Sequence, residues 1–456
     1  MKIIIVGCGK VGYALSQQLY EEGHEITLVD KKAERLQPAI DNLDIQVLVG
    51  NGTSFLAQQE AGIESADLLI AVTSEDEVNI LSCLIAKKAG NCRTIARVRN
   101  PEYFPEIDYL KSCTGISMII NPEYAAAQEI ARLIQVPDAM EIDSFAKGRV
   151  DLLRVAISEN SPLHNMKVME FSKKFNHEIL ICILEHEHEI IIPNGNSILR
   201  AGDTISVIMP RRKIPSFYRE SKLTTIGEVS NVMIAGGGTM AYYLAQILEK
   251  SNVQVKIVEK DRERARFLSL ALPKAMIIHA DATRHEDLLE EGLPKMDAFV
   301  ALTPTDETNI FLSLFANKVA PVCKRITKLG RMEQEEIIEE LPIGSMVSAR
   351  NTTTEFILQY VRSLSASYGS KVEALYRLMD NRVEALEFHV TEQNPVIGIP
   401  LFNLSLKKNL LICGIVRGRK IITPSGRDTI ELNDTVIVVT THKGLDDISD
   451  ILDENK

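Results

Sequence analysis

The first hundred residues alternate short apolar runs with longer amphipathic ones. Residues 2–6, 26–30, 45–49, 68–72 and 94–98 are dense in Ile, Val, Leu and Ala and read as buried strands, whereas 11–22 and 77–89 carry their apolar positions at helical spacing. That alternation predicts βαβ units and therefore a parallel, doubly wound sheet. Asn121-Pro122 supplies helix-start chemistry for an alanine-rich helix over 123–135. From about 140 to 225 the texture becomes that of strands, at 150–157, 178–184, 188–192 and 204–209, with turns at Pro193-Asn194-Gly195 and Ala201-Gly202-Asp203. The polar stretch 215–228 reads as a linker.

The same succession then runs a second time, at an offset near 230 residues. Gly50-Asn51-Gly52-Thr53 matches Ala280-Asp281-Ala282-Thr283, and Val72 to Asn79 matches Leu302 to Asn309. Asn121 is matched to Asn351, and Pro193 to Thr204 matches Pro424 to Thr435. A helix near 353–363 and β-rich texture from 383 to 440 complete the second copy. The predicted fold class is α/β: two Rossmann-like doubly wound parallel sheets, each followed by a small β-rich α+β domain. The expected bounds are 1–138, 139–225, 229–366 and 367–456.

Each copy opens on a dinucleotide fingerprint. Gly7-Cys8-Gly9-Lys10-Val11-Gly12 follows the first strand and Asp30 ends the second; Gly236-Gly237-Gly238-Thr239-Met240-Ala241 and Glu259 occupy the same places in the second half, the acid 23 residues after the first glycine in both. The first glycine permits a tight turn, the second lets a diphosphate approach the backbone, and the third (or Ala241) permits close helix packing. The diphosphate then meets the amides and positive dipole end of a helix. Asp30 and Glu259 are placed for ribose hydroxyls, and a carboxylate there favours NAD-like or adenosine ligands over a 2′-phosphate. Thr73 and Thr303 fall at the ends of the fourth strands, as crevice residues, helix caps, or both. Arg97 and Arg99 flank Val98 at the end of the fifth strand, either to grip phosphate or to form salt bridges. The second half has Lys328 and Gly330 there, so the two sites are expected to differ in ligand or affinity.

Composition narrows the classes. A net charge of −11 without a basic stripe argues against a nucleic-acid partner. No apolar run reaches the ~18 residues of a membrane-spanning helix, and a first strand starting at residue 2 leaves no room for a leader peptide. The seven cysteines are scattered and include no CxxC pair, which suits reduced thiols in a cytosolic protein. His186 and His188 share a strand face beside a hairpin, as a metal pair or a solvated edge. Asp203 and Asp434 recur but sit in turns. No histidine recurs between the halves, and GxSxG, Walker A and HExxH motifs are absent, so a catalytic acid–base group expected of a duplicated dehydrogenase is missing.

These motifs (Lys2 to Gly12, Val29-Asp30, Gly50 to Thr53, Ala71 to Asn79, Ile95 to Arg99) and the domain order resemble the regulatory subunits of Trk-type potassium uptake systems, whose repeating units are RCK domains. The resemblance spans essentially the whole chain. It implies a non-enzymatic cytosolic ring, peripheral on the inner face of the plasma membrane, that gates an integral membrane potassium transporter. Four subunits would pair through the helices near 123–135 and 353–363. The ligands it implies are NAD(H) and, in some members, ATP or ADP. Carried over by motif, the first site would use Gly7 to Gly12, Asp30, Asn51, Thr53, Thr73, Ser74, Arg97 and Arg99. The second would use Gly236 to Ala241, Glu259, Asp281, Thr283 and Thr303. Asn51 stands where many such domains have an acid. An NAD-dependent oxidoreductase and a free-standing sensor for a soluble partner are the alternatives.

Overall fold

The computed structural model describes residues 1–453 apart from 91, 104–105, 136–140, 147–148, 176, 188, 222, 224–228, 331–337, 339–340, 367–371, 380–381 and 392–393. The chain divides into two units that each draw on both halves: residues 1–131, 230–321 and 325–358 in one, and 132–229, 322–324 and 359–456 in the other.

The first unit holds two six-stranded sheets. One comprises β1 (Lys2–Val6), β2 (Glu25–Asp30), β3 (Gln46–Val49), β4 (Leu68–Ala71), β5 (Arg93–Arg97) and β6 (Met118–Ile120), ordered 3-2-1-4-5-6 with every pairing parallel. Strand order reverses between β1 and β4, which opens a crevice above their carboxyl ends. β1 and β4 are buried on both faces, because helices cover the sheet on either side, and their sequences are accordingly continuous Ile, Leu, Val and Ala. The sixth strand, absent from the sequence reading, is only three residues long.

After the first small domain, the second Rossmann-like sheet repeats the order. Its strands are β12 (Asn231–Ala235), β13 (Gln254–Glu259), β14 (Met276–His279), β15 (Ala298–Ala301), β16 (Lys324–Lys328) and β17 (Ser345–Val347). The two α/β folds touch directly. Asn121 Nδ2 donates to the hydroxyl of Tyr243 at 3.1 Å, and the Tyr124 ring meets Tyr243 edge-on at 5.4 Å. Burial pushes the Tyr243 phenol up to about 12. Asn121 caps its helix through Tyr124 N at 2.9 Å. In the second half Ser348, accepting from Asn351 N at 3.5 Å, holds that place. The structural counterpart of Asn121 is therefore Ser348, not Asn351, which lies inside the first turn of the helix Ala349–Ala366; matching by residue type alone misplaced the cap by three positions.

The second unit holds two five-stranded antiparallel sheets. The first contains β7 (Glu141–Phe145), β8 (Val150–Ala156), β9 (Leu180–His186), β10 (Glu189–Ile191) and β11 (Thr204–Pro210); the second contains β18 (Val372–Leu378), β19 (Val383–His389), β20 (Leu410–Arg417), β21 (Lys420–Ile422) and β22 (Thr435–Thr440). The orders, 10-9-11-8-7 and 18-19-22-20-21, are the same path read from opposite edges. Side chains of both sheets fill one apolar core that includes Phe145, Leu152, Cys182, Ile183, Val383, Ala385, Cys413 and Val439. Polar ties cross the seam: Ala146 N donates to Glu387 Oε2 at 2.9 Å and Arg149 Nη1 to Gly418 O at 2.8 Å.

The linker expectation for 215–228 fails over its first part. Ile214–Ser221 is a helix, and Phe217, fully buried, packs among Phe171 and Phe175. Two aromatic residues in a polar stretch outweigh its composition, and the segment is part of the first small domain. β9 ends at His186, which pairs with Glu189 across the hairpin, and Glu187 has φ 46°. His188 lies outside the described residues.

Candidate nucleotide site

Gly7 lies at φ 105°, where its N–H donates to Val29 O at 2.7 Å; a Cβ there would sit 2.9 Å from Thr73 N. Gly9 caps the helix Lys10–Glu21 without any side-chain hydrogen bond, leaving first-turn amides and the dipole's positive end open to an anion. A Cβ on Gly9 would meet nothing within 4 Å, whereas one on Gly12 would lie 1.8 Å from Gly7 O. Gly9 is thus open for a ligand's approach, and Gly12 is required by the packing of the helix on the loop. Gly236, at φ 101°, and Gly238, with open space before it, repeat the first two roles. Lys10 is exposed, Val11 and Met240 are buried beneath the loops, and Ala241 is fully buried in the place of Gly12. Thr239 opens the second helix.

The acids do more than wait for a ribose. Asp30 Oδ2 accepts from Cys8 N at 2.8 Å and its Oδ1 from Lys32 N at 2.9 Å, so the carboxylate latches the glycine loop to the second strand. Glu259 repeats the latch, through Gly237 N and Asp261 N, both at 2.7 Å. Each oxygen keeps a further lone pair for a hydroxyl donor. Burial and the Asp30 charge raise the Cys8 thiol to about 11, and its Sγ donates to Arg35 O at 2.9 Å.

A shallow open cleft lies over β1, β2 and β4, lined by Gly7, Asp30, Asn51, Thr73 and Ser74 among the expected residues, and also by Lys31, Arg35, Gly52 and Glu75. Lys31 Nζ reaches Glu75 Oε1 across its rim at 3.4 Å. Both groups are exposed, so the pair is weak. The second half has Lys260 and Thr305 in those positions and no such bridge. Asn51 Oδ1 accepts from the Thr53 hydroxyl at 3.0 Å, and Asp281 accepts from Thr283 at 2.8 Å. The Thr283 amide and hydroxyl hold the Asp281 carboxyl below the usual carboxylate range.

Thr73 is not a helix cap; the helix Asp76–Ala89 starts from Glu75. Its hydroxyl and amide both donate to Asn79 Oδ1, at 2.7 and 2.8 Å, and Asn79 Nδ2 donates to Arg97 O at 2.8 Å. Thr303, Asn309 and Lys328 O reproduce this clamp at 2.7, 2.8 and 2.9 Å. Arg97 and Arg99 do not line the cleft. Arg97 Nη2 donates to Thr73 O at 2.6 Å from a largely buried position, and burial lowers its pKa. Arg99 pairs with Glu123 at 2.8 Å. Lys328 is likewise lowered by burial. Gly330 donates its N–H to Asp306 as Arg99 does to Asp76, both at 2.8 Å. Sequence reasoning missed Arg35, which borders the cleft, and Arg264, whose Nε donates to Gly237 O at 2.7 Å. Their signal was present: each lies five residues after the latch acid.

Among the described residues no group of His, Cys, Asp or Glu could hold a metal ion, and His186 instead bonds Asp203 at 2.6 Å. The fold and the loops define a duplicated dinucleotide-fold protein with paired small β domains. The TrkA-N domain model matches residues 3–122 and 232–349, and the TrkA-C domain model matches 152–222 and 385–453. The chain belongs to the TrkA family. It is 31% identical over 453 residues to a Trk system potassium uptake protein TrkA homolog of Archaeoglobus fulgidus, covering 99% of this chain and 100% of that one. It is 31% identical over 451 residues to the Trk system potassium uptake protein TrkA of Haemophilus influenzae, covering 97% and 96%. In fold it is similar to the GsuK channel (TM-score 0.64, 14% identity, 96% of this chain and 76% of that one) and to the GsuK RCK domain (TM-score 0.61, 15% identity, 96% and 92%). A GsuK channel bound to NAD superposes at TM-score 0.63 with 14% identity, covering 96% of this chain and 76% of that one.

Proposed function

We propose that this protein is the nucleotide-responsive regulatory subunit of a membrane potassium transporter, and not an enzyme. The observation that carries the reading is the duplicated loop latch, Cys8 N to Asp30 and Gly237 N to Glu259. Each latch fixes a glycine turn beneath an open helix start, which suits a diphosphate held by the loop and a ribose held by the acid. NAD(H), ATP and ADP all carry that pair of groups. The relatives' names supply potassium uptake as the process. Among the described residues no helix is long and apolar enough to cross a membrane; on this reading the pore belongs to a partner, on whose inner face four such chains would assemble as a ring.

A bound nucleotide shifts such a ring only by its difference in affinity between two conformations. The residues positioned to sense it are those that join the loop to the rest of the fold: Asp30, and Thr73 with its Asn79 clamp. The reading is tested by rubidium uptake into vesicles that carry a Trk-type pore, with and without this chain and each nucleotide. Uptake that depends on the chain and changes with nucleotide supports the role; uptake indifferent to the chain overturns it.

A further inference from the structure

Cys182 and Cys413 occupy the same place in the two small domains, in Leu180-Ile181-Cys182 and Leu411-Ile412-Cys413. In each sheet the cysteine is itself the extra residue of a β-bulge. Val207 pairs with Ile181 and Ser206 with Ile183, which passes over Cys182; Val438 pairs with Ile412 and Ile437 with Gly414, which passes over Cys413. A bulge re-aims the side chain it carries, and here each of two bulges carries a thiol in the one core that both sheets build. Both residues are at most 1% exposed and sit in the single apolar core built by the two sheets, where β9 packs on β20. Cys182 Sγ donates to Leu180 O at 3.7 Å and Cys413 Sγ to Leu411 O at 3.4 Å, and burial, with the neighbouring Cys182 thiol, pushes the Cys413 thiol well up.

We infer that Cys182 and Cys413 form a disulfide site that covalently joins the two small domains when the protein meets a small-molecule disulfide. Exchange is balanced: one thiol loses its proton and attacks the oxidant, releasing one small thiol and leaving a mixed disulfide. The second thiol then attacks that bond, so an Sγ–Sγ bond forms and a second small thiol leaves with the other proton. Two electrons pass from the protein pair to the oxidant. The apolar surroundings favour this neutral product over a thiolate-bound metal, which would bury charge. The same surroundings make the thiolate scarce, so the bond forms slowly in the folded chain and readily during refolding. Once formed, it constrains the unfolded state and holds the two small domains together.

The test uses the full chain, refolded from denaturant in oxidised or reduced glutathione, digested without reduction and mapped by mass spectrometry. The expected result is a peptide pair linked through Cys182 and Cys413, with a thermal midpoint raised by roughly 5 °C over the reduced protein. Cys182→Ala and Cys413→Ser should each abolish both effects while the reduced variants keep the reduced wild-type near-ultraviolet spectrum. The inference is overturned if both thiols stay free while exposed Cys113 forms a mixed disulfide. It is equally overturned if the midpoint shift traces to a Cys83–Cys92 link.

Discussion

Cys8 and Gly237 show one residue's size setting its neighbour's. The shorter acid, Asp30, leaves room for the Cys8 side chain, whereas a Cβ on Gly237 would lie 2.9 Å from Glu259 Oε2 and 2.5 Å from Leu268 Cδ1. The latch tolerates either pair but not a mixture. Asp30→Glu alone should weaken nucleotide binding about tenfold, and Cys8→Gly should restore it in the double variant, a coupling that a double-mutant cycle measures directly. Gly9 and Gly12 separate binding from folding. Gly9→Ala should change stability by less than about 0.5 kcal/mol while lowering nucleotide affinity. Gly12→Ala, driven into the Gly7 carbonyl, should cost about 3 kcal/mol or more in chemical denaturation. The raised Cys8 thiol gives a pH signature. Its folded pKa of about 11 exceeds the ordinary 9.0, so the stability linked to it is complete below 9.0 and lost as pH rises toward 11. Thermal melts across that window should fall less steeply for Cys8→Ser than for the parent.

The clamp that joins the fourth and fifth strands is an element-scale device. Asn79 is fully buried and bonds Thr73 N, Thr73 Oγ1, Thr73 O and Arg97 O, and Asn309 does the same in the second half. Asn79→Ala leaves buried backbone groups unpaired and should lower stability by about 2–4 kcal/mol. Thr73→Ser, which keeps the hydroxyl, should cost far less; denaturant midpoints compare the two. Much of this scaffold was legible. Long Ile-Val-Leu runs mark strands buried on both faces, and glycine spacing marked both loops. What stayed hidden depends on contacts between distant residues. Three apolar residues, Met118–Ile120, are too few to carry a period. Phe217 needed its partners Phe171 and Phe175 to reveal a helix in a polar stretch. Arg97 and Arg99 stand at a strand end, and sequence left phosphate grip and salt bridging open for them; it could not show that the Thr73 carbonyl and Glu123 would be their partners.

At the scale of the molecule, duplication does more than repeat a binding site. The two small domains share one core, and the two Rossmann-like folds meet through Asn121, Tyr124 and Tyr243. A chain ending at residue 228 would leave Phe145, Leu152, Cys182 and Ile183 without the second sheet that covers them. Sedimentation of that half-chain should show self-association, because apolar area of that kind is not stable in water. The same pairing places both glycine loops in one unit. The measurement closest to the central claim is calorimetric titration of the full chain with NAD+, NADH, ATP and ADP, beside Asp30→Ala and Glu259→Ala. Binding of at least one nucleotide is expected, lost in one or both variants, with the nucleotide recovered unchanged. No binding by any of the four, or chemical turnover of the bound nucleotide, would contradict that claim.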